Sequence, residues 1–374
     1  MIRPATYQDL DDLVAIENQA FTIDRFNRRS FRYLLTKANA TTLVYEKNQQ
    51  LIGYVMVLFH TGTSLARLYS LAVLPGFQGQ GIGRDLVEAA EQVAQEHDCS
   101  SLRLEVRQDN QTGIRLYEKL GYRQFGKPVE DYYEDHMGAL RFEKLLLPQL
   151  KPDLVKVPYY QQTLDFTCGP SALMMAMQAL DPEQSLDRMM ELRLWRESTT
   201  IFMTSGHGGC GPYGLALAAW RHGFDVEVFV NEEGVMFVDS VRSQDKKEVM
   251  RLVQQDFINE LSQLPVKIHY GVIGVNDIER HFQAGGIPVV LISSYRIYQE
   301  KFPHWVVVTG FDERYIYVHD SYVDEDHNKT VTDVMNMPIL RSEFERMARY
   351  GKAGQKAALI LKRRKKNKTR KDTN

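Results

Sequence analysis

The sequence predicts an α/β protein of two domains, each a β-sheet with helices packed on it. Three observations predict this. Leu68 to Gly83, LYSLAVLPGFQGQGIG, is an apolar strand that runs into a glycine-rich turn and then a helix. LLLPQLKPDLVKVPYY then holds three prolines and interrupts the periodic pattern. Beyond it a new pattern begins, with a cysteine at the mouth of a helix and a β-hairpin opening on His304. A chain of 374 residues is also long for one such domain. The expected boundaries are 1–147 for the first domain, 148–158 for the junction, 159–361 for the second domain and 362–374 for a tail.

Composition narrows the class. The apolar fraction of 44% is ordinary for a globular protein, and a net charge of −2 gives the folded body no case for nucleic acid. The N-terminus enters a strand pattern directly, so no signal peptide is expected, and no apolar run reaches membrane-spanning length. The cysteines are Cys99, Cys168 and Cys210. An odd, sparse set without paired spacing points to a reducing, cytoplasmic setting, with neither disulfides nor a metal site.

In the first domain, Ile2 to Thr6 reads as an edge strand and Asp9 to about Phe21 as a helix. Leu68 to Val73 is a short buried strand that ends at Pro75 and Gly76. Gln78, Gly79, Gly81 and Gly83 form the turn. The helix opening near Gly83 carries Leu86, Val87, Ala90 and Val93 at helical spacing. Glycines let backbone approach a ligand, and a helix N-terminus offers unpaired N–H groups, so the turn suits a pyrophosphate. G-x-G-x-x-G does not fit, because Arg84 sits where the third glycine belongs. A Walker loop does not fit either, because no Lys-Ser/Thr follows. Leu102 to Val106 is a second strand containing Glu105. A helix opens near Asn110 with Ile114, Tyr117 and Leu120 on one face, and Gly121 closes it.

Gln78, Gly81 and Gly83 in Q-x-x-G-x-G spacing, the strand LEVR, Asn110, LYEKLGY and the run Glu130-Asp131-Tyr132-Tyr133 resemble the GNAT superfamily of N-acetyltransferases. They are most similar to its ribosomal-protein alanine acetyltransferase branch. The resemblance implies a GNAT fold with a central mixed sheet and acetyl-CoA as co-substrate. It places acetyl-CoA against Leu71, Val73, Gln78, Gly79, Gly81, Gly83, Arg84 and Asn110. It implies Glu105 as the base, acting through water, Tyr117 as the acid, and a peptide or protein amino group as acceptor. Taken alone, Glu105 also reads as an exposed strand carboxylate, Tyr117 as a core aromatic and Asn110 as a plain helix cap.

The second domain opens with a strand over Val155 to Tyr160. Cys168 follows at the start of a helix bearing Leu173, Met174, Met177 and Leu180, with Pro170 in its first turn. A helix N-terminus favours thiolate. Gln162, six residues earlier, is close enough to aim its amide at the same spot. HWVVVTGFDERYIYVHDS reads as a hairpin, His304 to Gly310 returning through Tyr315 to His319. Its turn at Asp312-Glu313-Arg314 brings His304 beside Asp320.

Gln162, Cys168, His304 and Asp320 in this order, with CGP and HWVVVTG, resemble the papain-like peptidases that cut bacteriocin leader peptides after a double glycine. The resemblance implies a papain-like fold in which Gln162 supplies the oxyanion hole, Cys168 attacks, His304 is the base and Asp320 orients it. It is specific only at the two ends of the domain, and 181–302 does not align. The plain alternative is a small apolar cysteine and a satisfied strand histidine. Cys210, in SGHGGCGPYGLALAAW near His207, is a rival thiol that reads better as part of a glycine loop at the cleft rim. His319, Asp320, Asp324, Asp326 and His327 lack recurring metal spacing and read as a solvated loop.

KRRKKNKTRKDTN, residues 362–374, reads as a solvated tail or as a weak electrostatic tether to RNA, a ribosome or acidic lipid. Both resemblances point to a bacterial source. The expected whole is an acetyltransferase fused to a cysteine peptidase. The alternatives are a second domain that only binds peptide, or a small-amine acetyltransferase with a regulatory second domain.

Overall fold

The computed structural model describes residues 1–147, 149–200, 208–327 and 329–364. The chain divides after Lys151 into two compact units, Met1–Lys151 and Pro152–Asn374. Both are mixed α/β.

The first unit runs β1 (Ile2–Pro4), α1 (Leu10–Ala20), α2 (Arg28–Thr36), β2 (Ala40–Lys47), β3 (Gln50–Phe59), β4 (Leu65–Val73), α3 (Ile82–Glu96), β5 (Ser101–Arg107), α4 (Gln111–Lys119), β6 (Arg123–Gln124) and β7 (Ala139–Leu145). Its seven-stranded sheet has the order β1-β2-β3-β4-β5-β7-β6. β3, QLIGYVMVLF, is buried along all but its two end residues. Such a run needs cover on both faces of the sheet, and α1 and α3 both pack on this strand. α3 turns Ile82, Leu86, Val87, Ala90 and Ala94 inward, one stripe of an amphipathic helix.

The sheet is antiparallel except between β4 and β5. These pair in parallel only at Leu65 to Arg67 with Ser101 to Arg103. Among the described residues no ladder joins them beyond that point. β4 from Leu68 onward is held from its β3 side, and β5 is held by β7. The sheet therefore opens between its fourth and fifth strands.

The second unit runs β8 (Asp153–Leu154), α5 (Cys168–Leu180), α6 (Arg188–Ser198), α7 (Pro212–Arg221), β9 (Phe224–Val230), α8 (Gln244–Ser262), β10 (Lys267–Tyr270), α9 (Val275–Gln283), β11 (Ile287–Ser293), α10 (Tyr295–Tyr298), β12 (Pro303–Phe311), β13 (Tyr315–His319), α11 (Val331–Val334), β14 (Met337–Leu340), α12 (Arg341–Met347) and β15 (Ala357–Arg363). The sheet order is β10-β9-β15-β11-β12-β13-β14, with β8 added against β12. Among the described residues only β9 and β10 pair in parallel. α5 is buried from Gly169 through Met177 without a polar face. A helix apolar all round belongs inside a core, and α5 packs on β11 and β12 and against α6 and α7. That fixes the height of Cys168, its first residue.

Two expectations are corrected here. Val155 to Tyr160 is not a strand. The ladder there is Asp153 and Leu154 against Phe311 and Gly310, prolonged by one bond from Val155 N–H to Thr309 O (2.9 Å). Pro158 lacks the N–H needed to continue it. The tail also begins later than its charge implies. Lys362 and Arg363 extend β15 opposite Asp225 and Phe224. Lys362 Nζ donates to Glu227 (3.0 Å). The Arg364 guanidinium lies 3.5 Å from the Trp220 ring centre and donates to Asp225. The rest of the basic run, residues 365–374, lies outside the described residues.

Gly214 shows how tightly α6 and α7 meet. A Cβ there would lie 2.4 Å from Ser198 O and 2.9 Å from the Phe257 ring. Gly214→Ala should lower the stability of the second unit by about 1–3 kcal/mol, read as a shift of its urea midpoint. An unchanged midpoint would mean the helices can separate at no cost.

Candidate active sites

In the first unit the glycine turn joins the opening in the sheet to the start of α3. Gly79 and Gly81 have φ of +76° and +87°, a region that L side chains strain to adopt. A Cβ on either would meet nothing within 4 Å. The backbone, not crowding, therefore demands glycine here, and the space over the loop is open. Gly81 is the N-cap of α3, and the first N–H groups of the helix have no helical acceptor. Arg84 is exposed in that first turn. Gln78 folds back, its Nε2 donating to Val73 O (3.2 Å). Leu71 and Val73 are half-buried on either side of buried Ala72, so they share the other face of β4. Asn110 caps α4, accepting from Gly113 N–H (2.9 Å).

Glu105 is not an exposed strand carboxylate. Arg67 Nε donates to its Oε2 at 2.9 Å, and the two side chains are only 2% and 4% exposed. The same guanidinium donates to Tyr132 Oη (2.9 Å). Arg67 thus ties the strand pair to the Asp131-Tyr132-Tyr133 run. Tyr117 is buried against Tyr122 and Phe142, and burial pushes its phenol well above the usual value of 10.

In the second unit Cys168, His304 and Asp320 come together. Cys168 is half-buried at the N-terminal end of α5. The β12–β13 register, with a bulge between Val308 and Gly310, brings His304 to Asp320, and Nε2 meets Oδ1 at 2.6 Å. A carboxylate can only accept, so Nε2 carries the proton. Nδ1 is left over, and the nearby Cys168 favours the charged imidazole. Burial opposes the imidazolium, but Asp320 and Cys168 outweigh it and hold His304 up at about 10. Burial likewise opposes the charged Asp320, and His304, Tyr298 and the Tyr322 N–H keep its carboxyl below the usual value.

Gln162 sits beside this group. Its Oε1 accepts from Ser321 Oγ (2.8 Å) and its backbone N–H donates to Ser321 O (2.9 Å). One N–H of its amide goes to Leu164 O (2.9 Å). The amide is thereby fixed with its second N–H to spare.

The rival groups have structural work. Cys210 is not at a rim: it is 4% exposed, with Ser198 Oγ 3.1 Å from its sulfur and Trp305 Nε1 donating to its carbonyl (3.0 Å). His207 lies outside the described residues. His319 donates through Nε2 to Val157 O (2.9 Å) and accepts at Nδ1 from Asn336 N–H (2.8 Å), so both ring nitrogens are occupied. His327 pairs with Asp324 (2.8 Å).

A family model for the Peptidase_C39 like family matches residues 157–362, more than half of the chain. The chain belongs to the Peptidase_C39 like family. The matched residues fall in the second unit, which holds Cys168, His304 and Asp320. Residues 10–122 match the acetyltransferase (GNAT) family, and the first unit is a GNAT acetyltransferase domain. The relatives agree with that domain alone. A putative [ribosomal protein bS18]-alanine N-acetyltransferase of Bacillus subtilis is 31% identical over 135 residues, 36% of this chain and 87% of its own. The thialysine N-epsilon-acetyltransferase of Sus scrofa is 32% identical over 127 residues, 33% of this chain and 75% of its own. The crystal structure of the ribosomal-protein-S18-alanine N-acetyltransferase of Escherichia coli is 24% identical, covers 39% of this chain and 93% of that one, and gives a TM-score of 0.36.

Sequence reasoning missed several groups around this Peptidase_C39 like centre. Tyr298 Oη donates to Asp320 Oδ2 (2.7 Å). Lys329, 7% exposed, sets its Nζ 4.3 Å from the Tyr298 ring centre, and burial pushes its ammonium down from the usual lysine value. Ser321 orients Gln162. Tyr298 falls in the stretch that did not align, and no spacing pattern marks it.

Burial pushes the thiols of Cys99 and Cys210 up to about 12. Near neutral pH iodoacetamide should therefore label Cys168 well ahead of both, as peptide mapping would read. Faster labelling of Cys210 would move the reactive thiol. His304 also links stability to pH. Its folded value of about 10 exceeds the free value of 6.5, so its contribution is complete below pH 6.5 and is lost as pH rises through about 10. Asp320→Asn should flatten that decline in a melting-temperature series; an unchanged slope would assign it to other groups.

Proposed function

We propose that the chain is a bifunctional enzyme: an acetyl-CoA-dependent N-acetyltransferase acting on a protein or peptide amino group, joined to a cysteine peptidase. The observation that carries the reading is that each unit holds its own set of chemical groups. One has the glycine loop and sheet opening with Glu105 and Tyr117. The other has the buried His304–Asp320 pair beside Cys168.

The left-handed glycines, the open space above them and the free helix N–H groups fit the pyrophosphate of coenzyme A. Gly79, Gly81, Gly83 and Arg84 would hold it, and Leu71 and Val73 would line the path of the acyl arm. Bound acetyl-CoA supplies an activated thioester acetyl group. Tyr117 keeps its proton across neutral pH, as the acid for a departing sulfur must. Glu105, held by Arg67, would take up the acceptor's proton through water.

In the second unit Cys168 attacks the scissile carbonyl, and His304 passes the proton to the leaving amine. Water then releases the acyl group, and His304, now neutral, takes the water's proton as base. The spare N–H of Gln162 and the backbone N–H of Cys168, free in the first turn of α5, stabilise the oxyanion. A second reading concerns the acceptor alone. The similarity to the thialysine enzyme favours a small amine over a peptide. Peptides and small amines offered with acetyl-CoA, with products weighed by mass spectrometry, decide between them and also reveal cleavage.

Two variants test the first unit. Gly81→Glu puts a side chain on a left-handed position, a strain of about 1–2 kcal/mol, and a negative charge at the pyrophosphate seat. Acetyl-CoA affinity by calorimetry should fall, and an undiminished affinity would remove the loop from the site. Tyr117→Phe should lower acetyl transfer by about 10²–10⁴ with coenzyme binding retained. Full activity would leave Tyr117 as a core aromatic.

A further inference from the structure

Glu191 lies in α6, within the stretch that sequence reasoning could not align. Its side chain is fully inaccessible at 0% exposure, and among the described residues no cation pairs with it. A buried carboxylate without a cation persists only where donors satisfy it. Glu191 has four. Oε1 accepts from Thr163 N–H (2.8 Å) and from the Thr167 hydroxyl. Oε2 accepts from Thr163 Oγ1 (2.7 Å) and Tyr160 Oη (2.9 Å).

All four donors belong to one short segment. Thr163 follows Gln162, and Thr167 precedes Cys168 and is the N-cap of α5. One carboxylate therefore grips the segment at both ends, beside the oxyanion donor and beside the nucleophile. Apart from it, the segment is held by Thr167 N–H to Leu164 O (3.3 Å), an oxygen that also lies 2.8 Å from Thr167 Oγ1 and competes with Glu191 for its single proton, and by the Gln162 contacts with Ser321 and Leu164. Apolar packing would stabilise this place as well as a buried charge or better. What the carboxylate adds is a fixed distance.

We propose that Glu191 is a positioning residue of the thiol centre: by holding Thr163 and Thr167 together it sets the spacing between the Gln162 amide and Cys168, and with it the oxyanion pocket. This rests on the thiol reading above. Glu191 touches no reacting atom. Its effect falls on steps that build negative charge on oxygen and spares steps that do not.

The test uses the full chain and two reagents. Iodoacetamide alkylates Cys168 by displacement at carbon and forms no oxyanion. p-Nitrophenyl acetate acylates the same sulfur through a tetrahedral oxyanion, with p-nitrophenolate leaving. Both adducts are read on the Cys168 peptide by mass spectrometry. Glu191→Ala should slow acylation about 10²-fold, the size of one lost oxyanion donor, and leave alkylation and its pH profile nearly unchanged. Glu191→Gln keeps the shape. Its Oε1 can accept from Thr163 N–H and Thr167, and its amide can donate to Thr163 Oγ1 and Tyr160 Oη, so it should restore acylation. Equal loss of both rates in Glu191→Ala, undiminished acylation, or failure of Glu191→Gln to restore it would overturn the proposal. Where Glu191→Ala does not fold, Thr167→Val removes one grip and should give the same selective loss in smaller measure; intact acylation there overturns the proposal too. A wild-type Cys168 that reacts with neither reagent would instead overturn the thiol reading.

Discussion

The second unit is organised around the hydrogen bond between His304 and Asp320. Both side chains are almost wholly inaccessible, at 1% and 0%. Taking an ion pair out of water costs several kcal/mol per ion, and leaving one member unpaired costs about 3–5 kcal/mol. The pair is tolerable because its remaining valences are filled. Tyr298 and the Tyr322 N–H (2.9 Å) complete Asp320, and Cys168 further favours the charged form of His304. This places a demand on the hairpin. A shift of one residue between β12 and β13 would turn His304 or Asp320 to the opposite face. The bulge after Val308, on the same strand as His304, is thus part of the site. β11 and the apolar helix α5 hold β12 in place, and α5 delivers Cys168.

The first unit meets the reverse condition, a place where pairing stops. A parallel ladder of three residue pairs gives way to an opening lined by β4 on one side and β5 on the other. Backbone groups in such an opening still need partners. Gln78 supplies one by folding onto Val73 O. The opening also gives Arg67 its role, since it stands at the last paired position, where β4 and β5 are close enough for a buried pair with Glu105.

What was legible in the sequence was local. Strand, glycine turn and helix follow one another within sixteen residues of Leu68 to Gly83, and each step has a steric reason. The hairpin placed His304 by Asp320 because a tight turn converts sequence distance into geometry. What was not legible joins distant elements. Arg67 with Glu105, Tyr298 with Asp320 and Glu191 with Thr163 leave no periodicity, because each needs a tertiary fold to bring it together. The errors share this cause. Val155 to Tyr160 has strand composition, but Pro158 cannot extend the ladder. Lys362 to Arg364 reads as a solvated charge run, yet Asp225, Glu227 and the Trp220 face stand opposite and make those cations the end of a strand.

Burial alone does not decide the state of an ionisable group; burial together with its partners does. Tyr117 is buried, with no charged partner among the described residues, and its phenol is driven to the neutral form. Cys99 and Cys210 are buried in the same way and become inert thiols near 12. His304 is buried as deeply, yet Asp320 and the Cys168 sulfur reverse the outcome and keep it charged. The same physical cost thus yields a held proton in one unit and an ion pair in the other. The difference lies in which element supplies the neighbour. Among the described residues no charged group shifts Tyr117, whereas the β12–β13 hairpin carries its own carboxylate to His304. A helix can isolate a group by burial, but a hairpin brings a second side chain to the first and so builds the partner into the fold.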